Sequence, residues 1–261
     1  MDTSFGFGVS GGLDPAIVRV LAPEAERLGF TTFWANDTPH GDGLATLAVA
    51  AAVTSTIRLG VGVIPLDRQG PSQIAEKVRA LNLPGQRLTL GLGSGGATGG
   101  LTIVREGATA VRDATGARVV VGALGPRMTE LAGAVVDGVL LNWLTPGQAE
   151  RSGALTRVAA QDAGRPEPWL YGYVRTSLGT GARQRLEGEA ARYEQFSAYA
   201  AHFARMGVRA VDTAVVGDDP ESVRGGLAVY AAVLDETVVR AFTAQDTIED
   251  YLDLLRAVAP T

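Results

Sequence analysis

Cysteine is absent from the 261 residues, which excludes disulfides, thiolate metal sites and a cysteine nucleophile. Histidine is nearly so: His40 and His202 stand far apart, outside any His-x-x-x-His spacing, so no dedicated transition-metal site is expected. Lysine is scarce, and 23 Lys plus Arg against 28 Asp plus Glu leave a net charge of −5. Without a basic cluster interleaved with aromatics, nucleic acid is not an expected partner. No apolar run approaches the roughly 18 residues that span a bilayer. Met1 to Gly12 lacks the basic-then-apolar order of an export signal. A soluble cytoplasmic protein with no membrane partner is the expectation.

What is present is material for a large core: 46% of residues are hydrophobic and 34 are glycine. The most informative stretch runs from Arg118 to Leu131. Its β-branched run Val119-Val120-Val121 suits a strand buried on both faces. Gly125 then makes a turn, and Pro126 opens a helix at the one position where a missing amide loses no intrahelical bond. Free amides at such a helix start face the strand end, where an anion can sit.

The same grammar repeats along the chain. Strands are expected at Phe5–Ser10, Thr31–Ala35, Ile57–Ile64, Arg87–Leu92, Arg118–Ala123, Gly138–Trp143, Trp169–Val174 and Val238–Thr243. Helices fall between them, with Asp14, Thr145 and Asp246 as caps, and one long helical stretch covers Arg183–Met206. Eight strands alternating with helices in one chain favour a single (β/α)8 TIM barrel domain over an open doubly wound sheet. In a barrel the C-terminal strand ends converge on one mouth. That rule gathers Ser10, Asp37, Ile64, Ser94, Leu124, Trp143, Arg175 and Thr243. Several of these ends are glycine-rich, and the first strand is thin on one face, so a flat ligand is expected to lie against bare backbone.

Four motifs in order then carry a family resemblance. They are Glu24-Ala25-Glu26-Arg27-Leu28-Gly29-Phe30 with Phe33-Trp34-Ala35-Asn36-Asp37, Thr54-Ser55-Thr56-Ile57-Arg58-Leu59-Gly60-Val61-Gly62-Val63, Leu90-Gly91-Leu92-Gly93-Ser94-Gly95, and Gly125-Pro126-Arg127-Met128. Together they resemble the bacterial luciferase-like superfamily, which includes flavin monooxygenases and oxidoreductases that use the deazaflavin coenzyme F420. The resemblance implies a luciferase-like barrel and a cofactor site. In it the Gly62-Val63 bond is a non-prolyl cis peptide bulging against the ring, followed by Ile64. Gly93, Ser94 and Gly95 support the ribityl chain and phosphate, Gly125, Arg127 and Met128 bind the phosphate, and Ala123, Leu124 and Pro126 complete the cofactor contacts. Asp37 matches a position beside the pyrimidine edge.

Departures from the pattern weigh equally. The sugar-phosphate dehydrogenases of this group carry a His after the position of Asp37 and a Glu after that of Gly95, where this chain has Thr38 and Gly96. The acid–base pair is missing, leaving Asp37 and the nearby His40 as catalytic candidates. The link from Gly96 to Arg118 is short where relatives insert a long excursion, so pocket coverage falls to Leu178–Phe203 or to a second subunit. There Tyr193, Phe196, Tyr199 and Phe203 keep helical spacing and read as a packed face. Trp34, Asn36, Trp143, Tyr173 and Arg175 are the candidate substrate contacts.

The resemblance thus implies hydride transfer between coenzyme F420 and a small organic substrate. The alternatives are a monooxygenase using reduced FMN and a relative that binds cofactor without turnover. A homodimer is expected on general grounds, because dimers are the commonest assemblies.

Overall fold

The structure, a computed structural model, describes residues 4–260. Met1, Asp2 and Thr3, at the head of the segment read for an export signal, lie outside them, as does Thr261.

The chain alternates strand and helix: β1 (Ser4–Ser10), α1 (Pro15–Arg27), β2 (Thr32–Asn36), α2 (Gly43–Ala51), β3 (Arg58–Pro65), α3 (Pro71–Ala80), β4 (Leu88–Gly93), α4 (Gly100–Thr115), β5 (Arg118–Ala123), α5 (Pro126–Val135), β6 (Gly138–Asn142) and α6 (Pro146–Asp162). It continues through β7 (Trp169–Leu178), α7 (Thr180–Tyr193), α8 (Ser197–Met206), β8 (Val215–Gly217), α9 (Pro220–Ala231), β9 (Glu236–Phe242) and α10 (Ile248–Ala257). Every pairing between these strands is parallel. The order β1-β2-β3-β4-β5-β6-β7-β9 closes on itself through β9–β1, making the expected (β/α)8 barrel. The short β8 pairs with the far end of β7, outside the ring of eight.

Period-2 alternation decides what each strand residue buries. Val119 and Val121 join the core between sheet and helices, whereas Val120 joins a separate cluster with Trp34, Leu140, Tyr171, Tyr173 and Val238. Phe33 and Ala35 flank Trp34 in the same way, as Val239 does Val238. That second cluster fills the barrel. Trp34 fits there because the strands beside it carry glycine: a Cβ on Gly6 would stand 2.8 Å from Cδ1 of the indole, and one on Gly60 would stand 2.6 Å from Cε2. The thin face of β1 therefore makes room for aromatic side chains, not for a ligand. Gly8 does the same for the ring of Tyr173.

Local signals explain most helix starts. Pro15, Pro71, Pro126, Pro146 and Pro220 each open a helix, and the Asp14 and Thr145 side chains accept the capping amides of Ala16 and Gln148. Three expectations are corrected. Thr247, not Asp246, caps α10 by accepting from the Asp250 amide, and Asp246 sits at φ 56°. The stretch expected as one helix from Arg183 breaks at Glu194–Phe196 into α7 and α8, where the Glu194 carboxylate takes the amide of Ala210. The strand ending β7 runs four residues beyond Val174, because β8 and β9 both pair with that extension. No helix among the described residues is long and apolar enough to cross a membrane.

Candidate functional site

The C-terminal strand ends enclose a cavity of about 480 Å³. Its floor is shaped by β3, β4 and β5. The register of β3 against β4 shifts between Val61 and Ile64, and the Gly62–Val63 peptide is cis. Val63 then projects across its neighbours: a Cβ on Gly122 would stand 2.6 Å from its Cγ1, and one on Gly93 would stand 3.0 Å from its Cγ2. Glycine at those two positions is what lets one valine side chain lie over bare backbone.

Of the residues expected at the cofactor, Asp37, Gly62, Val63, Gly93, Ser94, Gly95, Ala123, Leu124, Gly125 and Met128 line this cavity. Ile64 does not: it is fully buried in the core between sheet and helices, on the opposite face of β3. Pro126 lines a neighbouring pocket beside Arg205 and His202. Arg127 is exposed and borders an outer groove with Arg105, Glu130 and Asp162, so its guanidinium points away from the mouth. At the start of α5 the amides of Met128 and Thr129 return to the Gly125 carbonyl at 3.1 Å each, and the Arg127 amide has no backbone acceptor among the described residues.

Among the candidate substrate contacts, Asn36, Tyr173 and Arg175 line the cavity. Trp34 does not, since it lies beneath, fully buried, with its indole N–H given to Glu236. Trp143 is buried against Tyr193 and Phe203, with the Arg175 guanidinium 3.6 Å above its ring. It supports Arg175 and does not face the cavity. Of the two catalytic candidates, His40 is exposed and outside the cavity. The Asp37 side chain is 3% exposed and already engaged, by the Arg68 guanidinium, by the Gln69 amide at 3.5 Å and by the Gly43 N–H at 3.4 Å.

Several lining residues escaped the sequence reading. Leu140 and Asn142 follow from alternation along β6, a signal that was available. Arg240 needs the register of β9 against β7, in which it pairs with Arg175, and sequence alone does not supply that. Tyr193 and Tyr199, expected on a packed face, also line the cavity, with their rings 4.7 Å apart, while Phe196 is 58% exposed and Phe203 is buried. The break between α7 and α8 is what turns the two tyrosines toward the mouth.

Electrostatically the site is a place of neutral phenols and cations. Burial raises the Tyr173 hydroxyl above its ordinary range and pushes Tyr199 up to about 12, so both are donors at neutral pH. Arg175 is already engaged, with its Nε 3.2 Å from Glu189 and its Nη1 on the Asn142 side chain. Behind the α5 start, burial lowers His202 below its usual value, and its Nε2 lies 2.8 Å from the Trp143 carbonyl oxygen.

A flat flavin-like ring fits this arrangement. The floor carries one valine over glycine backbone, the Asn36 Oδ1 is buried beside it without a partner, and α5 begins at the far side.

The chain is similar in sequence and in fold to known proteins. Residues 3–102 match the family described as Luciferase-like monooxygenase. A 5,10-methylenetetrahydromethanopterin reductase of Methanolobus tindarius is 31% identical, over 58% of this chain and 58% of the reductase, so the match spans little more than half of that relative. An F420-dependent secondary alcohol dehydrogenase, solved with an F420–acetone adduct, superposes with a TM-score of 0.78 at 16% identity, covering 100% of both chains. The FMN-bound oxygenating constituent of the 3,6-diketocamphane monooxygenase of Pseudomonas putida reaches 0.73 at 14% identity, covering 99% of this chain and 96% of its own. Residues 3–102 thus match the luciferase-like monooxygenase family, and the chain as a whole has the (β/α)8 barrel fold of these solved structures.

Proposed function

We propose that the protein is an oxidoreductase that transfers a hydride between coenzyme F420 and a small organic substrate held in the mouth cavity. The observation that carries the reading is the glycine floor under Val63, a surface against which a flat ring can lie. When bound there, F420 supplies the hydride-carrying ring and the plane against which substrate is placed.

The residues of the chain then position and exclude. Gly93 and Gly122 let Val63 set the height of the floor. The Arg68 ion pair holds the Asp37 side chain at the rim, tying the β2 loop to the β3 loop. Arg175, clamped by Glu189 and stacked on Trp143, joins Tyr193 and Tyr199 in a wall that shields the interior from water. The one lining carboxylate among the described residues is thus engaged, and Thr38 and Gly96 stand where the resemblance puts the acid–base pair of the sugar-phosphate dehydrogenases. A hydride step suits such a site, because face-on placement is its main demand.

The FMN-bound monooxygenase of the same fold favours a second reading, oxygenation with reduced FMN. Titrating the purified protein with F420 and with FMN separates them, followed by tryptophan fluorescence, since Trp34 lies 5.7 Å from the Tyr173 ring that borders the cavity. Saturable quenching by F420 and none by FMN is expected. No response to F420 would remove the reading, and a response to FMN alone would replace it with the monooxygenase.

A further inference from the structure

Among the described residues, two buried side-chain hydrogen-bond donors of the cavity lack any partner. The Tyr173 hydroxyl is buried with none, and so is the Arg240 Nε–H. Both residues line the cavity, at 8% and 7% exposure. Their strands fix them relative to each other: β7 and β9 pair in parallel with Tyr173 opposite Val238 and Arg175 opposite Arg240, so Tyr173 and Arg240 stand on a diagonal of one inner face.

The contrast with Arg175 is instructive. Arg175 has Glu189, Asn142 and the Trp143 ring. Arg240 gives its Nη1 to the Ala241 carbonyl at 2.6 Å and lies 5.1 Å from the Phe242 ring centre, but forms no ion pair among the described residues. Two carboxylates near the strand ends are spoken for, Asp246 by Arg185, Thr243 and Tyr251, and Asp37 by Arg68. A cation taken out of water without a counter-charge is costly, and so is a buried hydroxyl with nothing to donate to. One negatively charged oxygen between them would relieve both costs.

We propose that Tyr173 and Arg240 form a donor pair for a ligand oxyanion, a carboxylate or a carbonyl oxygen that carries negative charge, in the floor of the cavity. The Tyr173 hydroxyl lies 3.2 Å from where a Cβ on Gly62 would stand, which sets the pair beside the bulge of β3. The oxygen can come from a small acidic substrate or from the edge of the cofactor ring. The pair rests on the F420 reading only for the second of these sources.

Wild type, Tyr173→Phe and Arg240→Gln are to be titrated with sodium benzoate, with benzyl alcohol as the neutral control, and separately with F420, all by tryptophan fluorescence. Arg240→Lys keeps the charge should Arg240→Gln fold poorly, and thermal melts confirm that each variant is native. A tenfold or greater loss of benzoate affinity, with benzyl alcohol unchanged, assigns the pair to a substrate carboxylate. The same loss confined to F420 assigns it to the ring edge. Variants that bind both benzoate and F420 as wild type does would overturn the proposal. Wild type that ignores F420 yet prefers benzoate would sink the cofactor reading and leave the donor pair standing.

Discussion

Trp34 Nε1 donates to Glu236 Oε1 at 2.7 Å, inside the barrel and beneath the cavity. The other carboxylate oxygen of Glu236 accepts from the hydroxyls of Thr31 at 3.0 Å and Thr32 at 2.9 Å. These three bonds lower its pKa, but desolvation outweighs them and raises it above the ordinary 4.5. Because the folded value lies above the unfolded one, the stability contributed by this group is complete below about pH 4.5 and is lost as pH rises toward the folded value. Glu236→Gln removes that dependence. Urea midpoints measured over a pH series should fall more steeply for wild type than for the variant above pH 4.5; parallel profiles would refute the assignment. Glu236→Ala, which orphans the indole N–H and leaves a void, should cost about 2 to 5 kcal/mol.

Gly60 tests the filling of the barrel. A Cβ there would meet Cε2 of Trp34 at 2.6 Å, within a cluster that has no slack. Gly60→Ala is expected to destabilise by about 1 to 3 kcal/mol through overpacking. An unchanged denaturant midpoint would mean that the indole can move aside.

Cofactor affinity should be insensitive to Arg127→Glu, with a change below about 0.5 kcal/mol, because this exposed side chain faces the outer groove. Gly122→Val should weaken it by tenfold or more, since even a Cβ at 122 displaces Val63 from the floor. Fluorescence titration of both variants with F420 checks the pair. The reverse order would return the anion contact to Arg127.

Asp37 ties two rim loops together, so Asp37→Ala should lower stability by about 1 to 3 kcal/mol, mainly through the unpaired Arg68 and the Gly43 amide. Arg68→Ala should produce a comparable loss, and the double variant less than the sum, as a thermodynamic cycle in urea would show.

The barrel was legible because each of its signals is local. Proline at helix starts, Asp14 as a cap and the Val119–Val121 run each depend on neighbours in sequence. The glycine floor was legible in part, because Gly93 and Gly122 could be placed at strand ends but not shown to receive Val63. Asp246 misled because an Asp ahead of Thr247 has equal claim to a cap, and its carboxylate is drawn elsewhere by Arg185 from α7 together with the hydroxyls of Thr243 and Tyr251.

Amino-acid order alone settled the number of barrel strands, their alternation with helices and part of the mouth, such as Asp37, Ser94 and Arg175, since period and turn chemistry act over a few residues. Packing across the barrel decided the rest: that Trp34 belongs to the interior, that Arg127 faces outward, and that Arg240 stands beside Tyr173. Those outcomes depend on register and shared volume between segments as much as 200 residues apart, as in the bond from Trp34 to Glu236 at a separation of 202, and no local pattern encodes them.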